Sequence, residues 1–160
     1  MDLKLLKFQE TDFDLYYSLV SNDDVMAQIT ERAFLYDEAK ISFQKLINRN
    51  EKHDKFGSYK IYDYLDKTFI GLGHLTLNEN KSYEAEIGYM LLPEYWGKGY
   101  GTETAKKLVE IANRLDLKLI TAIIDPENIP SRKILTNLGF RSQEVCEIDD
   151  LPGEILSKSF

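Results

Sequence analysis

The 160-residue chain carries 20 Lys and Arg against 27 Asp and Glu, a net charge of −7, with 43% hydrophobic and 29% charged residues. That balance suits one globular domain over residues 1–160 with a core of its own. It argues against nucleic-acid binding, which runs on basic surfaces. No apolar run nears the roughly 18 residues of a membrane span, and residues 1–12 lack a signal-peptide core. Cys146 stands alone, so a reducing cytoplasm is the expected setting. With only His53 and His74 and no paired cysteines, no metal is expected.

Residues 3–8 read as a short first strand. Thr11 or Asp12 is placed to cap a helix carrying Phe13, Tyr16, Tyr17, Leu19 and Val20. Residues 22–28 read as a further helical turn, and Ala39, Phe43, Leu46 and Ile47 recur at helical spacing over 37–50. The period then becomes two. Strands are predicted over 59–64, 68–77 and 84–92, joined by polar turns as an antiparallel meander. A helix over 102–115 precedes an apolar strand over 117–124, and a helical crossover makes the strands it joins parallel. A helix over about 129–138 stops at Gly139; strands over 141–148 and 154–159 close the chain as a hairpin around Pro152-Gly153. The class is α/β, a mixed α+β sandwich.

The loop Trp96-Gly97-Lys98-Gly99-Tyr100-Gly101 joins a strand to a helix. Three missing Cβ atoms let backbone N–H groups approach an anion. Thr102 opens the helix, whose N-terminus has unpaired donors and partial positive charge. Strand, glycine loop and helix N-terminus together suit phosphate. The spacing is neither G-x-G-x-x-G nor G-x-x-x-x-G-K-[ST], and Gly71-Leu72-Gly73 fails as a fingerprint because Thr76 stands in the third place.

The loop resembles the pyrophosphate loop of the GNAT N-acetyltransferase superfamily, [QR]-x-x-G-x-[GA]. Gly99 and Gly101 match, and Trp96 replaces the usual Gln or Arg. A second segment, Asn128 to Phe140, resembles the family pattern N-x-x-[AS]-x-x-φ-[YL]-x-x-x-G-F, where φ is apolar. Taken singly, Asn128 reads as a helix cap, Gly139 as a helix stop and Phe140 as core. Glu86-Ile87-Gly88-Tyr89, Trp96 to Tyr100 and Asn128-x-x-Ser131 are together similar to the branch that acetylates α-amino groups of ribosomal proteins.

The resemblance implies a mostly antiparallel twisted sheet with one parallel, splayed strand pair and helices on both faces. It implies acetyl-CoA as co-substrate, no metal, and a primary amine acceptor: a protein N-terminus or a small molecule. Amides of Gly97, Lys98, Gly99, Tyr100, Gly101 and Thr102 would hold the pyrophosphate, with Lys98 as counter-charge. The amide-rich pantetheine arm would lie like an added strand beside Met90, Leu91 and Leu92, near Asn128 and Ser131, and Pro93 suits a strand end that opens a gap. The N–H of Leu91 or Leu92 would polarise the carbonyl.

Glu86, a carboxylate on an otherwise apolar strand, is the expected base; pairing with a neighbouring Lys or Arg, or a place on a solvated sheet face, is the alternative, and Glu84 on the same strand face is its competitor. Leu135 stands where many relatives place a proton-donating tyrosine, so Ser131 is the expected acid, with Tyr89 and Tyr100 in reserve; a small residue in a first helical turn is the alternative. His74 receives no role. The acceptor pocket is expected from the helices over 22–50, with Glu31, Arg32, Phe34 and Tyr36, and from the last hairpin. A module that binds CoA or a partner without turnover, or an enzyme using another acyl donor, remains an alternative. Either a monomer or a homodimer fits.

Overall fold

The computed structural model describes residues 1–27, 29–30 and 32–160. Among the described residues, seven strands form one sheet in the order β1-β2-β3-β4-β5-β7-β6. β1 (Leu3–Lys7), β2 (Gly57–Asp63), β3 (Thr68–Asn78) and β4 (Lys81–Leu91) follow one another antiparallel, so the meander lies where the alternation placed it. β5 (Leu119–Ile124) runs parallel to β4, and β7 (Leu151–Ser159) and β6 (Arg141–Ile148) complete the sheet antiparallel. The last hairpin turns earlier than expected. Ile148 pairs with Leu151, and Asp149 and Asp150 take φ of 51° and 65°. Two left-handed residues in a two-residue loop match the strand twist, and aspartate tolerates that conformation. Pro152 therefore lies within β7, opposite Glu147.

Side-chain parity sorts the core onto two faces. Leu75 of β3 and Ala85 and Ile87 of β4 pack with Leu108 and Ala112 of α4 (Tyr100–Asn113), Leu135 of α5 (Ile129–Asn137) and Phe140. On the opposite face Leu72, with Met90 and Leu92 beside it, packs under α1 (Phe13–Val20), α2 (Asp23–Met26) and α3 (Tyr36–Asn50). Each fully buried Leu or Phe of these clusters contributes about 1.5–3 kcal/mol. Helices thus cover both faces.

Both ends of α5 are built from the second motif. The Asn128 side chain accepts from Ser131 N–H at 3.3 Å. At the other end Gly139 has φ +96°, with Gly139 N–H on Thr136 O and Phe140 N–H on Leu135 O, each 3.0 Å. That is a Schellman stop, which favours glycine because it bears no Cβ. Arg132 donates to the buried Glu154 of β7 at 2.9 Å and ties the helix to the sheet.

β4 and β5 pair only at Glu84↔Leu119, Ala85↔Ile120 and Glu86↔Thr121. From Ile87 to Leu91, β4 keeps β3 as partner while β5 keeps β7 through Ile124. The sheet is therefore parted beyond Glu86.

Candidate active site

The parting leaves one edge of β4 without a strand partner among the described residues. Leu92 N–H donates to Ile70 O of β3 at 2.9 Å. Hydrogen-bonding direction alternates along an antiparallel strand, so the N–H and C=O groups of Leu91 and Tyr89 face away from β3, into the gap. The Leu91 carbonyl accepts instead from Trp96 Nε1–H at 2.9 Å. Behind it, a Cβ on Gly71 would stand 2.2 Å from the Met90 carbonyl oxygen, a closeness only glycine permits. The Leu91–Leu92 peptide is thus bonded at both its carbonyl and its N–H, the preceding Met90 carbonyl lies close against Gly71, and the Leu91 N–H between them is left towards the gap. Leu92, the other expected donor, has its N–H committed to β3. By the same alternation the polar backbone groups of Met90 also face β3, and its side chain joins the α1–α3 core.

α4 begins beside this edge. Gly97 and Gly99 have φ of +70° and +90°, and Gly99 is the N-cap. Glu103 N–H to Gly99 O, 3.1 Å, is the first helical bond. The N–H groups of Tyr100, Gly101 and Thr102 consequently have no helical acceptor, and a glycine cap offers no side chain to serve them. A Cβ on Gly97 would meet nothing within 4 Å, and one on Gly99 only Met1 Cε at 3.7 Å. The exposed Lys98 lies between them. Amides without a helical acceptor, bare of side chains and next to a cation, could hold a diphosphate.

Gly101 works differently from the other two. Its φ is not positive, and a Cβ there would meet Ile134 Cδ1 at 3.2 Å and Tyr89 Cε2 at 3.5 Å. Its bareness packs α4 against α5 and β4. Tyr100 departs from its reserve role as acid. Its hydroxyl donates to Asp63 Oδ2 at 3.1 Å, far from Ser131 in the contacts it makes. Burial pushes the Asp63 carboxyl up, but N–H bonds from Asp2 and Leu65 and the Tyr100 hydroxyl outweigh it and hold the pKa below its ordinary value. Tyr100 brings only its backbone to the α4 terminus.

Glu86 and Glu84 share the α3 face with Met90, as the period of two requires. Glu84 lies 3.7 Å from Lys81 Nζ and 3.4 Å from Asn78 Nδ2. No Lys or Arg pairs with Glu86 among the described residues; its nearest charged or titratable partner is His74, with Nε2 3.8 Å from Oε2. Burial raises the Glu86 pKa, although 41% of the side chain stays exposed. A cleft of about 170 Å³ lined by Thr76, Asn78, Glu84, Glu86 and Thr121 adjoins it.

On the α4 face the Tyr89 hydroxyl lies 3.5 Å from Ser131 Oγ, at the limit of a hydrogen bond. Burial raises the Tyr89 pKa, with Ser131 opposing, so the phenol keeps its proton at neutral pH. Leu135 is buried in the core at 2% exposure. Ser131 and Tyr89 are thus brought together by two elements, while Glu86 lies across the strand from them.

The expected acceptor region is only partly assembled. Arg32 commits its guanidinium to Glu38 through bonds of 2.8 and 2.7 Å, and Tyr36 stacks edge-on against Phe13 and Tyr17 at 5.6 and 5.4 Å. Phe34 packs against the α1–α3 core. Glu31, and Gln28 at the end of the 22–28 turn, lie outside the described residues. Sequence reasoning missed the bonds of Trp96 and the contacts of His74. Both depend on register and loop path, which no local pattern carries.

Residues 2–141 match the family model described as the acetyltransferase (GNAT) domain. The chain is 29% identical over 143 residues to an uncharacterized N-acetyltransferase, YnaD, of Bacillus subtilis (strain 168), covering 88% of this chain and 80% of that protein. Its fold is similar to that of a GNAT-family acetyltransferase from Bacillus anthracis, with TM-score 0.83, 21% identity, and 99% and 95% of the two chains covered. It is also similar to a spermidine N-acetyltransferase from Vibrio cholerae solved with CoA and spermine, with TM-score 0.82, 19% identity, and 99% and 95% covered.

Proposed function

The chain belongs to the acetyltransferase (GNAT) family and is an N-acetyltransferase; from that premise we propose that it moves an acetyl group from acetyl-CoA to a primary amine by direct attack in a ternary complex. One observation carries this reading. The α4 N-terminus, with its uncapped amides, packs on the end of β4 whose Leu91 N–H is turned towards the β4–β5 gap: a Cβ on Gly101 would touch the side chains of Tyr89 and Leu91.

Acetyl-CoA supplies an acyl group activated as a thioester and a diphosphate by which to hold it. Amides of residues 97–102, with Lys98, would bind the diphosphate. Leu91 N–H would donate to a carbonyl oxygen gaining charge; the bonds of Trp96 and β3 to the peptide that follows it limit the reorganisation this needs. Glu86 takes the amine proton, and a pKa raised by burial brings the carboxylate nearer the pH at which a base works best. The Tyr89 hydroxyl, alone or relayed through Ser131, replaces the donor that Leu135 cannot be. The sole cysteine, Cys146, sits on the edge strand β6, which favours direct transfer over a cysteine-bound acyl group.

The amine approaches on the Glu86 face, where Glu84 and Glu86 line the cleft and suit an acceptor that arrives as a cation. The Vibrio cholerae relative in its complex with spermine supports a small polyamine, and the resembling ribosomal branch a protein N-terminus. A thiol-release assay with acetyl-CoA against spermidine, spermine and N-terminal alanine and serine peptides decides between them. Release with one class identifies the acceptor. Thermal stabilisation by acetyl-CoA without release for any amine would point to a CoA-binding module instead.

A further inference from the structure

His74 projects from β3 on the α3 face, and its ring lies across Gly88 of β4. A Cβ on Gly88 would stand 2.4 Å from His74 Nε2, so the ring occupies the space that glycine leaves. His74 Nδ1 lies 3.0 Å from Thr76 Oγ1 on the same strand face. When the threonine hydroxyl donates to Nδ1, the proton of the neutral ring sits on Nε2. That nitrogen lies 3.8 Å from Glu86 Oε2, a gap closed by a small turn of the glutamate or by one water.

We propose that His74, braced by Thr76, is a positioning residue that holds the Glu86 carboxylate at the mouth of the β4–β5 gap. The assignment rests on Glu86 being the base. The surrounding groups agree with a donor rather than a second base. Burial, and then the positive charge of Arg49 on α3, lowers the His74 pKa to about 4 even though a quarter of the side chain remains exposed. Among the described residues, the groups facing the ring are Arg49 from α3, Ser58 paired across on β2, Thr76 on β3 and Glu86 on β4. Glu86 is the only acid among them, so at neutral pH a neutral imidazole offers its N–H to one carboxylate. A donor to the ionised form favours that form and opposes the upward push of burial.

The test compares His74→Ala, His74→Gln and Glu86→Gln. Turnover is followed against pH, and the Glu86 side-chain carboxyl is titrated by carbon-13 NMR in the protein without substrates. Glutamine places an N–H near the position of Nε2, whereas alanine supplies none. In His74→Ala the Glu86 titration and the acidic limb of turnover should both move to higher pH, with kcat down about 10- to 100-fold through loss of orientation. His74→Gln should restore most of the rate and the titration. The proposal is overturned if the Glu86 titration is the same in wild type and a folded His74→Ala, whatever the rate. If Glu86→Gln keeps full turnover while the His74→Ala titration still moves, the coupling stands and the base assignment falls instead.

Discussion

Replacing Gly99 by alanine separates ligand binding from fold stability at the α4 terminus. Gly99 holds φ +90°, and a side chain in left-handed backbone costs about 1–2 kcal/mol. At this chain length a kcal/mol is worth about 2–4 °C, so Tm should drop by about 2–8 °C. Gly139→Ala is the matched control: its φ is +96°, and its added Cβ meets only the flexible end of Lys158, at 3.0 Å. Saturating acetyl-CoA at about 100 times Kd should raise the wild-type Tm by about 5–11 °C, from about 2.7 kcal/mol of linkage. In Gly99→Ala the turn that aims the α4 amides is strained and carries a methyl group. A tenfold weaker Kd at the same concentration leaves about 1.4 kcal/mol, or about 3–6 °C. Gly139→Ala should lose intrinsic stability but keep the full ligand shift. Differential scanning fluorimetry with and without acetyl-CoA reads all three proteins. A folded Gly99→Ala with an undiminished shift, or an equal loss in Gly139→Ala, would refute the assignment of this loop to the pyrophosphate.

Glu86→Gln should lower turnover by roughly 10²–10⁴, the loss shrinking as pH rises and more amine arrives neutral. In the wild type, activity should fall as pH drops through a Glu86 pKa that lies above its ordinary 4.5, and a flat pH profile would count against the base. Tyr89→Phe should reduce kcat more than Ser131→Ala if the phenol is the proton donor, with acetyl-CoA affinity little changed; the reverse order would make Ser131 the donor. Trp96 is the only tryptophan, so binding in the gap beside Leu91 should alter its fluorescence, and an unchanged spectrum at saturation would place the ligand elsewhere. Gly101→Val should destabilise the fold, since its side chain would be driven into Ile134 and Tyr89; selective loss of acetyl-CoA binding with unchanged melting would contradict that packing role.

Periodicity and turn chemistry carry most of this fold because each element buries one face. The Glu84–Leu91 alternation, the 3.6-residue spacing of Leu108 and Ala112, and the Asn128 and Gly139 caps are local signals with local causes. The hairpin at Asp149-Asp150 was not legible, because Pro152-Gly153 is the commoner turn signal and strand register decides between them. At the site, residue type pointed to the glycine loop, yet the backbone angles divide its glycines: Gly97 and Gly99 are left-handed, whereas Gly101 is a packing residue. The choice between Leu91 and Leu92 turns on the phase of a hydrogen-bond ladder. The pairing of His74 with Gly88 turns on inter-strand register. Neither quantity is local, which is why the histidine carried no signal in isolation.

The arrangement of β4 also sets the direction in which protons would travel. Glu84, Glu86, Gly88 and Met90 face α1–α3, while Ala85, Ile87, Tyr89 and Leu91 face α4 and α5. Glu86 and the Tyr89–Ser131 pair therefore lie on opposite faces of the sheet, and only a ligand passing through the gap beyond Glu86 would meet both. Burial raises the pKa of each group, but with opposite consequences. The carboxylate becomes a stronger base, while the phenol stays protonated as a donor at neutral pH. In the proposed reaction an amine loses its proton to Glu86 on one face, and the departing sulfur gains one from Tyr89 or Ser131 on the other. An intact sheet at this point would leave the two groups out of each other's reach. The short register of β4 on β5 is thus the feature on which a shared reaction centre depends.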